Sequence, residues 1–430
     1  MKRHLIGIGG VGMSALATAL VRLGDEVTGA DRTLGTPNIK FLESLGVKVY
    51  PDDGSGVDKS TDEVIVSTAI EETNAGLIKA KELGIPVTHR AKALARTLKD
   101  YKLVAVVGTC GKSTVTAMLG HVLSECGLDP MCVNGANVPG WEGAVRFGKG
   151  EYAVAEVDES DKSLVAFSPY AAIVTNASAD HYSKEEMDEV FDAFVKDCEG
   201  PVIDGRNACP RISRIDTDER EEWVTPLPGK HNLQNAALAA KMALALGCKA
   251  EDIKRALATF RGVERRLQLI SPSHPLTLSP SHPLTLSPSP FVYDDYAHNP
   301  EKLKAMWTTL AEKHPEGICV IWRPHGYAPL RKMMDALAAM FVETIRPQDK
   351  LLLLPVYDAG GTTDRSVSSR DLLEKVKVRG EGEQRCVLVS DLDAAYDWCA
   401  AHKGDYAAFV TCGARDPGLP LLAKRLSAVD

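Results

Sequence analysis

Short apolar runs alternate with amphipathic helical patterns along most of this 430-residue chain. In the first hundred residues the apolar runs end in glycine or polar side chains, and helical patterns over residues 14–23 and 38–45 lie between them. The alternation starts again near residue 102 and near residue 291. Because strands that alternate with helices form parallel sheets, the pattern predicts three consecutive α/β domains, at residues 1–99, 100–268 and 291–430.

A low-complexity segment, residues 269–290, joins the second and third predicted domains. The sequence SPSHPLTL occurs twice in tandem, at 271–278 and 279–286, and residues 271–290 contain six prolines but no Asp, Glu, Lys or Arg. Proline has no backbone N–H group and favours extended conformations, so we expect an exposed hairpin loop or a linker. A proline-rich motif that binds a partner protein is the alternative.

The composition narrows the class of protein. With 44% hydrophobic and 25% charged residues, the chain resembles ordinary soluble globular proteins. A formal net charge of -8 disfavours a nucleic-acid partner but leaves room for a phosphorylated small molecule. The ten cysteines show no C-x-x-C pair, and the first residues resemble neither a signal peptide nor a membrane span. We expect a cytoplasmic protein with reduced thiols and no stable membrane association, either monomeric or dimeric.

The first glycine-rich loop, GIGGVG at residues 7–12, fits the pattern G-x-G-x-x-G. It lies between an apolar run and a helical pattern, and Asp31 ends the next apolar run. This arrangement is typical of dinucleotide-binding units, so a nicotinamide-dependent oxidoreductase is one hypothesis. The glycines let backbone N–H groups approach two linked phosphates, and UDP-sugars carry such a pair as well. The loop alone does not distinguish the two ligands.

A second glycine-rich loop lies in the stretch VAVVGTCGKST, again between an apolar run and a helical pattern. Its backbone N–H groups and the following helix N-terminus suit phosphate oxygens. Lys112 adds a positive charge, and the hydroxyl of Ser113 can bind magnesium. Val106 stands where the strict pattern G-x-x-x-x-G-K-[ST] has its first glycine. The context still predicts a phosphate-binding loop.

The stretch VAEVDESD ends a predicted strand with four acidic side chains, beginning with Glu156. Such carboxylates repel one another unless cations or hydrogen-bond donors lie among them. A magnesium ion near the phosphate-binding loop would satisfy them, and Glu156 is the best candidate ligand because it leaves the strand first. A solvated acidic turn is the alternative. The next predicted strand ends in TNASADH, which brings His181 to the same sheet edge.

Taken together, these segments resemble the Mur ligase family. The family's order is followed by GTCGKST, AEVDESD, TNASADH, PGKHNLQNAALAA, FRGVERR and DDYAHNP, and the resemblance spans nearly the whole chain outside the insert. It implies a Rossmann-like UDP-binding domain, a P-loop-like central ATPase domain and a Rossmann-like C-terminal domain. Because of GIGGVGMSALA, VIVSTAI and AEVDESD, the resemblance is greatest to the alanine-adding members.

The resemblance implies an ATP-dependent ligase of peptidoglycan precursor synthesis, and hence a role in cell shape and division. Such an enzyme joins the carboxylate of UDP-N-acetylmuramate to L-alanine, or to another small amino acid, through an acyl phosphate. One alternative is a recycling member of the family that adds a preformed peptide to the same acceptor. The oxidoreductase hypothesis leaves the second loop and the acidic strand end unexplained.

The resemblance also implies roles for individual residues. The residues expected to bind ATP are Gly108, Thr109, Gly111, Lys112, Ser113, Thr114, His231, Asn232, Asn235, Arg265 and Arg266. Those expected to bind the UDP-sugar are Gly9, Gly10, Val11, Gly12, Ser14, Ser67 and Thr68. The expected Mg²⁺ ligands are Ser113, Glu156 and His181, and the expected catalytic residues are Lys112, Glu156, His181 and Asp295. The incoming amino acid would meet Tyr296, His298, His325 and Arg331.

Two positions depart from the alanine-adding pattern. Cys110 stands where those members usually have histidine, and we interpret it as a packing substitution. Gly326 directly follows His325, where those members typically have arginine. On this hypothesis, Arg323 or Arg331 would supply the missing positive charge to the amino-acid carboxylate.

Overall fold

The computed structural model describes residues 1–158, 163–177, 184–206, 222–271, 290–358, 364–379 and 385–428. The chain divides into two compact units, one of Met1–Leu227 with His231–Val263 and one of Pro228–Lys230 with Glu264–Asp430. The first unit contains two β-sheets and the second contains one. The predicted α/β class with three successive sheets is therefore confirmed, while the exact domain boundaries stay a prediction.

The first sheet is fully parallel and has the strand order β3-β2-β1-β4-β5. Its strands are β1 (Lys2–Ile6), β2 (Glu26–Asp31), β3 (Lys48–Pro51), β4 (Glu63–Val66) and β5 (Val87–His89). Its helices are α1 (Val11–Arg22), α2 (Pro37–Ser44), α3 (Ala75–Glu82) and α4 (Arg90–Thr97). The side chain of Thr36 caps α2, and Pro37 fits its first turn because that position needs no backbone N–H donor.

The second sheet has the order β11-β10-β6-β9-β7-β8, with β8 antiparallel to β7 and the other pairs parallel. Its strands are β6 (Lys102–Val107), β7 (Met131–Val133), β8 (Val145–Arg146), β9 (Tyr152–Glu156), β10 (Ala171–Val174) and β11 (Val202–Asp204). Its helices are α5 (Lys112–Glu125), α6 (Lys184–Val195), α7 (Lys230–Ala245) and α8 (Ala250–Thr259), with a 3₁₀ turn at Ser163–Ala166.

These two sheets share one hydrophobic core. Leu16 of α1 and Leu94 of α4 lie in the same buried cluster as Val145 of β8. Outside the core, the guanidinium group of Arg22 donates two hydrogen bonds to the Glu142 carboxylate, at 2.7 and 2.8 Å. Shared apolar burial, rather than this exposed ion pair, holds the first two sheets in one unit.

The third sheet has the order β12-β13-β17-β14-β15-β16, with β12 antiparallel and the other pairs parallel. Its strands are β12 (Gln268–Ser271), β13 (Phe291–Asp295), β14 (Ile318–Trp322), β15 (Lys350–Leu353), β16 (Cys386–Leu388) and β17 (Ala408–Cys412). Its helices are α9 (Pro300–Lys313), α10 (Tyr327–Thr344), α11 (Ser369–Arg379), α12 (Leu392–Ala401) and α13 (Gly418–Ser427).

The proline-rich insert joins two adjacent strands of this sheet. Ser271 of β12 pairs with Val292 of β13 in an antiparallel register, so the chain leaves and re-enters the sheet at neighbouring positions. This pairing agrees with the expected hairpin connection. Residues 272–289 themselves lie outside the described part of the chain. Across the described helices, none combines the length and the apolar character that a membrane crossing requires.

Candidate active site

The phosphate loop, residues 108–111, connects β6 to α5 as the sequence predicts. Strand β6 lies between β9 and β10, and all three run parallel. In this register Val106 pairs with Glu156, and Val107 pairs with Val174 at the end of β10. The phosphate loop, Glu156 and the segment after β10 therefore meet at the carboxyl edge of the sheet, where parallel α/β sheets bind their ligands.

Asn176, two residues after β10, holds the phosphate loop in shape. Its Oδ1 accepts hydrogen bonds from Thr109 Oγ1 at 2.7 Å and from the Cys110 N–H at 2.9 Å. Its Nδ2 donates to the Cys110 carbonyl at 3.0 Å, and Thr175 Oγ1 donates to the same carbonyl at 2.6 Å. Because these bonds order the loop in advance, ligand binding costs less conformational entropy.

The N-terminus of α5 combines the chemical groups that phosphate oxygens need. Lys112 Nζ donates to the Gly108 carbonyl at 2.6 Å, which lays the ammonium group across the phosphate loop. Ser113 and Thr114 follow in the first helical turn, and both are buried. An ammonium group, hydroxyl groups and a helix N-terminus together favour a polyphosphate ligand.

Helix α7 packs its first turns directly on the phosphate loop. Gly111 caps α5 with φ 85°, a left-handed conformation that favours glycine. A Cβ atom there would lie 2.7 Å from Asn235 Oδ1, so the position tolerates only glycine beside this amide. Asn235 in turn donates to Asn232 Oδ1 at 3.3 Å, and half-buried His231 precedes both on α7. The structure therefore brings Asn235 to the loop, with Asn232 bonded to it, while contact of these residues and of His231 with adenine stays a prediction.

Glu156 and Ser113 fit a magnesium ion by their chemistry. The Glu156 Oε2 atom accepts a hydrogen bond from the Gly135 N–H at 2.8 Å, and a Cβ atom on Gly135 would lie 2.5 Å from that oxygen. Magnesium at a nucleotide needs only one or two protein oxygens, because phosphate and water complete its shell. Within the described ranges no group of three or more histidine, cysteine or acidic side chains is arranged for a metal. His181, the third predicted ligand, lies outside those ranges.

The loop GIGGVG is held by side chains from the next strand and helix. Asp31 Oδ2 accepts the Gly9 N–H at 2.9 Å, and Asn38 Nδ2 donates to the Gly9 carbonyl at 2.9 Å. In the first turn of α1, Ser14 Oγ donates to the Val11 carbonyl at 2.9 Å. Asp31 thus supports the loop from within.

The remaining residues predicted for the UDP-sugar lie on the same edge of the first sheet. Gly10 and Gly12 lie at the start of α1, and Ser67 and Thr68 directly follow β4, the neighbour of β1. Parallel neighbours end at one edge, so these residues come together as predicted. Their binding of a UDP-sugar stays a prediction.

Three rings predicted for the amino-acid site form a row at the carboxyl edge of the third sheet. Tyr296 and His298 follow β13, and His325 follows β14. The ring centroids of Tyr296 and His298 are 5.6 Å apart, and those of His298 and His325 are 4.8 Å apart, both in edge-to-face contact. The guanidinium carbons of Arg265 and Arg266 lie 5.1 and 5.4 Å from the Tyr296 ring centroid.

The two aspartates that end β13 have separate structural partners. Arg265 Nε donates to Asp294 Oδ2 at 3.1 Å, but burial still raises the pKa of Asp294 to about 6. The Asp295 carboxylate accepts the N–H groups of Leu267 and Ala297, each at 2.7 Å. Asp295 therefore orders the start of the ring row, and its expected catalytic role stays a prediction.

His325 is a neutral imidazole at neutral pH. Burial first, and then the positive charges of His298, Arg415 and Lys302, lower its pKa to about 4. A neutral ring nitrogen can accept a hydrogen bond, which the imidazolium form cannot do.

The two arginines expected to replace the missing one have other partners. Arg331, on α10, forms an ion pair with Asp364 at 2.7 Å on the surface of the unit. Arg323 Nη1 donates to Asp416 Oδ2 at 2.7 Å, and its Nε donates to the Pro355 carbonyl at 3.1 Å. Neither contact brings these arginines to the ring row.

Comparison with known proteins identifies the family. Two family models match the chain, the Mur ligase family catalytic domain over residues 2–102 and the Mur ligase glutamate ligase domain over residues 284–415. The UDP-N-acetylmuramate–L-alanine ligase of Hydrogenovibrio crunogenus is 32% identical, with 88% of this chain and 89% of that protein aligned. The chain belongs to the Mur ligase family. Another relative of this Mur ligase, the protein of the same name from Rhizobium etli, is 30% identical, with 99% of this chain and 97% of that protein aligned.

Solved structures agree with the fold of this Mur ligase. The UDP-N-acetylmuramate-alanine ligase of Thermotoga maritima superposes with a TM-score of 0.81, covering 99% of this chain and 98% of that one at 24% identity. A murein peptide ligase of Psychrobacter arcticus gives a TM-score of 0.66, covering 100% of this chain and 99% of that one at 20% identity. At these identities the likeness supports the fold, whose three-sheet α/β architecture the sequence predicts.

Two arginines of this Mur ligase, Arg90 and Arg415, lie near the predicted sites although no sequence motif indicates them. A Cβ atom on Gly12 would lie 3.1 Å from Arg90 Nη1, so α4 places this guanidinium group over the loop GIGGVG. Arg415 follows β17, close enough to His325 for its charge to lower the pKa of the ring. Both arginines stand just beyond the carboxyl end of a parallel strand, and that position is the sequence clue that could have identified them.

Proposed function

We propose that this Mur ligase is an ATP-dependent UDP-N-acetylmuramate–L-alanine ligase of peptidoglycan precursor synthesis. The names of the aligned Hydrogenovibrio crunogenus and Rhizobium etli proteins support the two substrates. The structural observation that carries the proposal is the meeting of the phosphate loop, Glu156 and α7 at one edge of the second sheet. That meeting supports a nucleoside triphosphate rather than a nicotinamide cofactor as the high-energy partner.

In this reaction the UDP-N-acetylmuramate carboxylate attacks the γ-phosphorus of ATP, releasing ADP and leaving an acyl phosphate. The amine of L-alanine then attacks the acyl carbon, and inorganic phosphate leaves as the amide forms. Carboxylate and triphosphate are both anions, so cations must neutralise them at the first step. Lys112 is the residue best placed to neutralise the β- and γ-phosphates, with Arg265 and Arg266 as further candidates.

Ser113 and Glu156 would hold a magnesium ion, which would neutralise phosphate charge when bound. The phosphate loop requires no rearrangement for this, because Asn176 already holds it in shape. We also propose His181 as a ligand for a second magnesium near the acceptor carboxylate, from its place in the family motif.

The UDP-sugar is assigned to the loop GIGGVG. Backbone N–H groups at the start of α1 suit its two linked phosphates, and Arg90 would neutralise them from above the loop. Asp31 is engaged by the Gly9 N–H, which supports a structural role over contact with a cofactor ribose.

The amino acid is assigned to the ring row of Tyr296, His298 and His325. As a neutral imidazole, His325 can accept a hydrogen bond from the incoming amine. The nine described cysteines are all free thiols, which supports the cytoplasm as the compartment of the reaction.

An amino-acid screen tests the proposal. Purified protein is incubated with ATP, Mg²⁺ and UDP-N-acetylmuramate, and with L-alanine, glycine, L-serine or a preformed tripeptide in separate reactions. We expect phosphate release and a product of the correct mass, fastest with L-alanine. Phosphate release with the tripeptide alone would replace the proposal by the recycling activity, and dehydrogenase activity without phosphate release would refute it. Lys112→Ala should lose at least about 100-fold in turnover if the phosphate loop holds ATP.

A further inference from the structure

Arg415 lies in the centre of the carboxyl edge of the third sheet. Its strand, β17, runs between β13 and β14, and Cys412 at its end pairs with both Asp295 and Trp322. Arg415 lies three residues beyond Cys412, in the loop that follows β17. This loop therefore leaves the sheet between the segments that carry His298 and His325. Its charge is close enough to His325 to contribute to the low pKa of that ring.

The backbone at Arg415 is held in a conformation that an arginine rarely adopts. Its φ is 67°, in the left-handed region, and the Asp416 N–H donates across it to the Ala414 carbonyl at 2.9 Å. Such a three-residue turn is strained and persists only where the surroundings fix it. Here the buried Asp416 carboxylate fixes it, because its two oxygens accept hydrogen bonds from Arg323 at 2.7 Å and from the Gly418 N–H at 2.8 Å.

The turn presents a cation that none of the described residues neutralises. The Arg415 side chain is exposed, and no residue in the described part of the chain forms an ion pair or hydrogen bond with it. The two other arginines considered for this site, Arg323 and Arg331, are paired with Asp416 and Asp364. A strained turn that places an exposed guanidinium group near enough to His325 to act on its charge is suited to an anionic ligand.

We propose that Arg415 binds the carboxylate of the incoming amino acid, replacing the arginine that the alanine-adding pattern has where this chain has Gly326. This inference rests on the proposed ligase function and names the residue that determines recognition of the α-carboxylate. A guanidinium group forms paired hydrogen bonds with a carboxylate, so an amine without a carboxylate is a poor substrate.

The test measures substrate KM values of Arg415→Gly. Glycine adopts positive φ without strain, so this variant keeps or improves the turn while removing the side chain that carries the guanidinium group. We expect KM for L-alanine to rise about 10- to 100-fold, with KM for ATP and UDP-N-acetylmuramate within about twofold of wild type. Arg415→Lys, which keeps the charge but not the paired geometry, should lie between the two.

A substrate comparison gives a readout that a merely structural role would not change. The wild-type enzyme should strongly prefer L-alanine over L-alaninamide. Arg415→Gly should lose most of that preference, because the preference comes from the contact between the guanidinium group and the substrate carboxylate. Arg425→Ala is the matched control, since Arg425 lies on α13 and pairs with Asp393 on the surface. It should leave all three KM values unchanged.

Other results overturn the inference in distinguishable ways. An unchanged KM for L-alanine in an active Arg415→Gly enzyme excludes the contact, and a raised KM for ATP alone assigns Arg415 to phosphate instead. A rise in the L-alanine KM of Lys302→Met, without one in Arg415→Gly, transfers the role to the other cation beside His325. Wild type that releases no phosphate with L-alanine refutes the proposed function itself.

Discussion

Asn176 shows how one amide can hold a glycine-rich loop in shape. It bonds to the side chain of Thr109 and to both backbone groups of Cys110, so three hydrogen bonds fix the middle of the phosphate loop. A loop ordered in this way presents its N–H groups to phosphate without a further loss of entropy. The same residue belongs to the motif TNASADH, where the sequence drew attention to His181 instead.

Asn176→Ala should raise KM for ATP about tenfold or more, because three hydrogen bonds that shape the phosphate loop are lost. Steady-state phosphate release against ATP concentration measures the effect. Asn38→Ala is the contrasting variant, since Asn38 supports Gly9 in the loop GIGGVG. It should raise KM for the UDP-sugar and leave KM for ATP unchanged. Identical profiles for the two variants would contradict separate sites for the two nucleotides.

Arg90→Ala should raise KM for UDP-N-acetylmuramate about 10- to 100-fold, because a cation beside its two phosphates is removed. Arg96 offers a matched control on the same helix: its Nη2 donates to the buried Glu63 carboxylate at 2.6 Å. Arg96→Ala should lower the melting temperature and leave that KM unchanged. Titration of KM and differential scanning calorimetry of both variants check the pair, and an unchanged KM in Arg90→Ala would remove Arg90 from the site.

At the scale of elements, parallel strands deliver chemistry to one edge of each sheet. The loop GIGGVG follows β1, the phosphate loop follows β6, and the ring row follows β13 and β14. A central strand of each sheet, β1, β6 or β17, is mostly buried, while the loops beyond the strand ends carry polar side chains. The proline-rich insert stands apart, since it connects β12 to β13 at the margin of the third sheet.

Removing one repeat, residues 279–286, should leave the enzyme nearly unchanged. β12 and β13 are already paired as antiparallel neighbours, and shortening the connection between them by eight residues changes its closure free energy by only a few tenths of a kcal/mol. We expect kcat, all KM values and the melting temperature to match those of the full chain. A large loss of activity with an unchanged melting temperature would show that the repeat takes part in function.

His4 links the stability of the first sheet to pH. It is buried on β1, with Nδ1 2.9 Å from Thr28 Oγ1 on β2, and burial lowers its pKa to about 4. The folded protein therefore favours the neutral ring. The resulting contribution to the free energy of unfolding is fully present above pH 6.5 and is lost as the pH falls through 4. The shift corresponds to roughly 3 kcal/mol. His4→Gln should reduce the acid-induced fall in the melting temperature between pH 6.5 and 4, and an identical fall in both proteins would contradict this.

At the scale of the whole molecule, the sequence predicted those features of the fold that depend on local patterns of residues. Alternating apolar runs located three sheets, and glycine-rich motifs located the loops that follow β1 and β6, because strands, tight turns and helix starts depend on neighbouring residues. Phosphate binding by these loops stays a prediction. Short strands such as β7, β8 and β11 escaped the pattern, since two or three residues leave no periodicity. As predicted from their motifs, Glu156 ends a strand, β9, and Gly111 directly precedes a helix, α5.

The remaining features depend on contacts between distant parts of the chain. Arg90 reaches Gly12 across 78 positions, and Arg415 comes near His325 because β17 lies between β13 and β14. The order of strands within a sheet cannot be derived from any single segment of the sequence. The positions of these arginines therefore became apparent only from the structure. For the same reason the sequence suggested Arg323 and Arg331 as the positive charge for the amino-acid carboxylate. In the structure both arginines form ion pairs with acidic residues.

Isotope transfer tests the central claim most directly. The enzyme is incubated with ATP, Mg²⁺, L-alanine and UDP-N-acetylmuramate that carries ¹⁸O in both carboxylate oxygens. The masses of the products are then measured by mass spectrometry. If the carboxylate attacks the γ-phosphorus and the amine then displaces phosphate, each phosphate released carries one ¹⁸O and the amide keeps the other. Phosphate free of label, or a requirement for a peptide in place of L-alanine, would contradict the account.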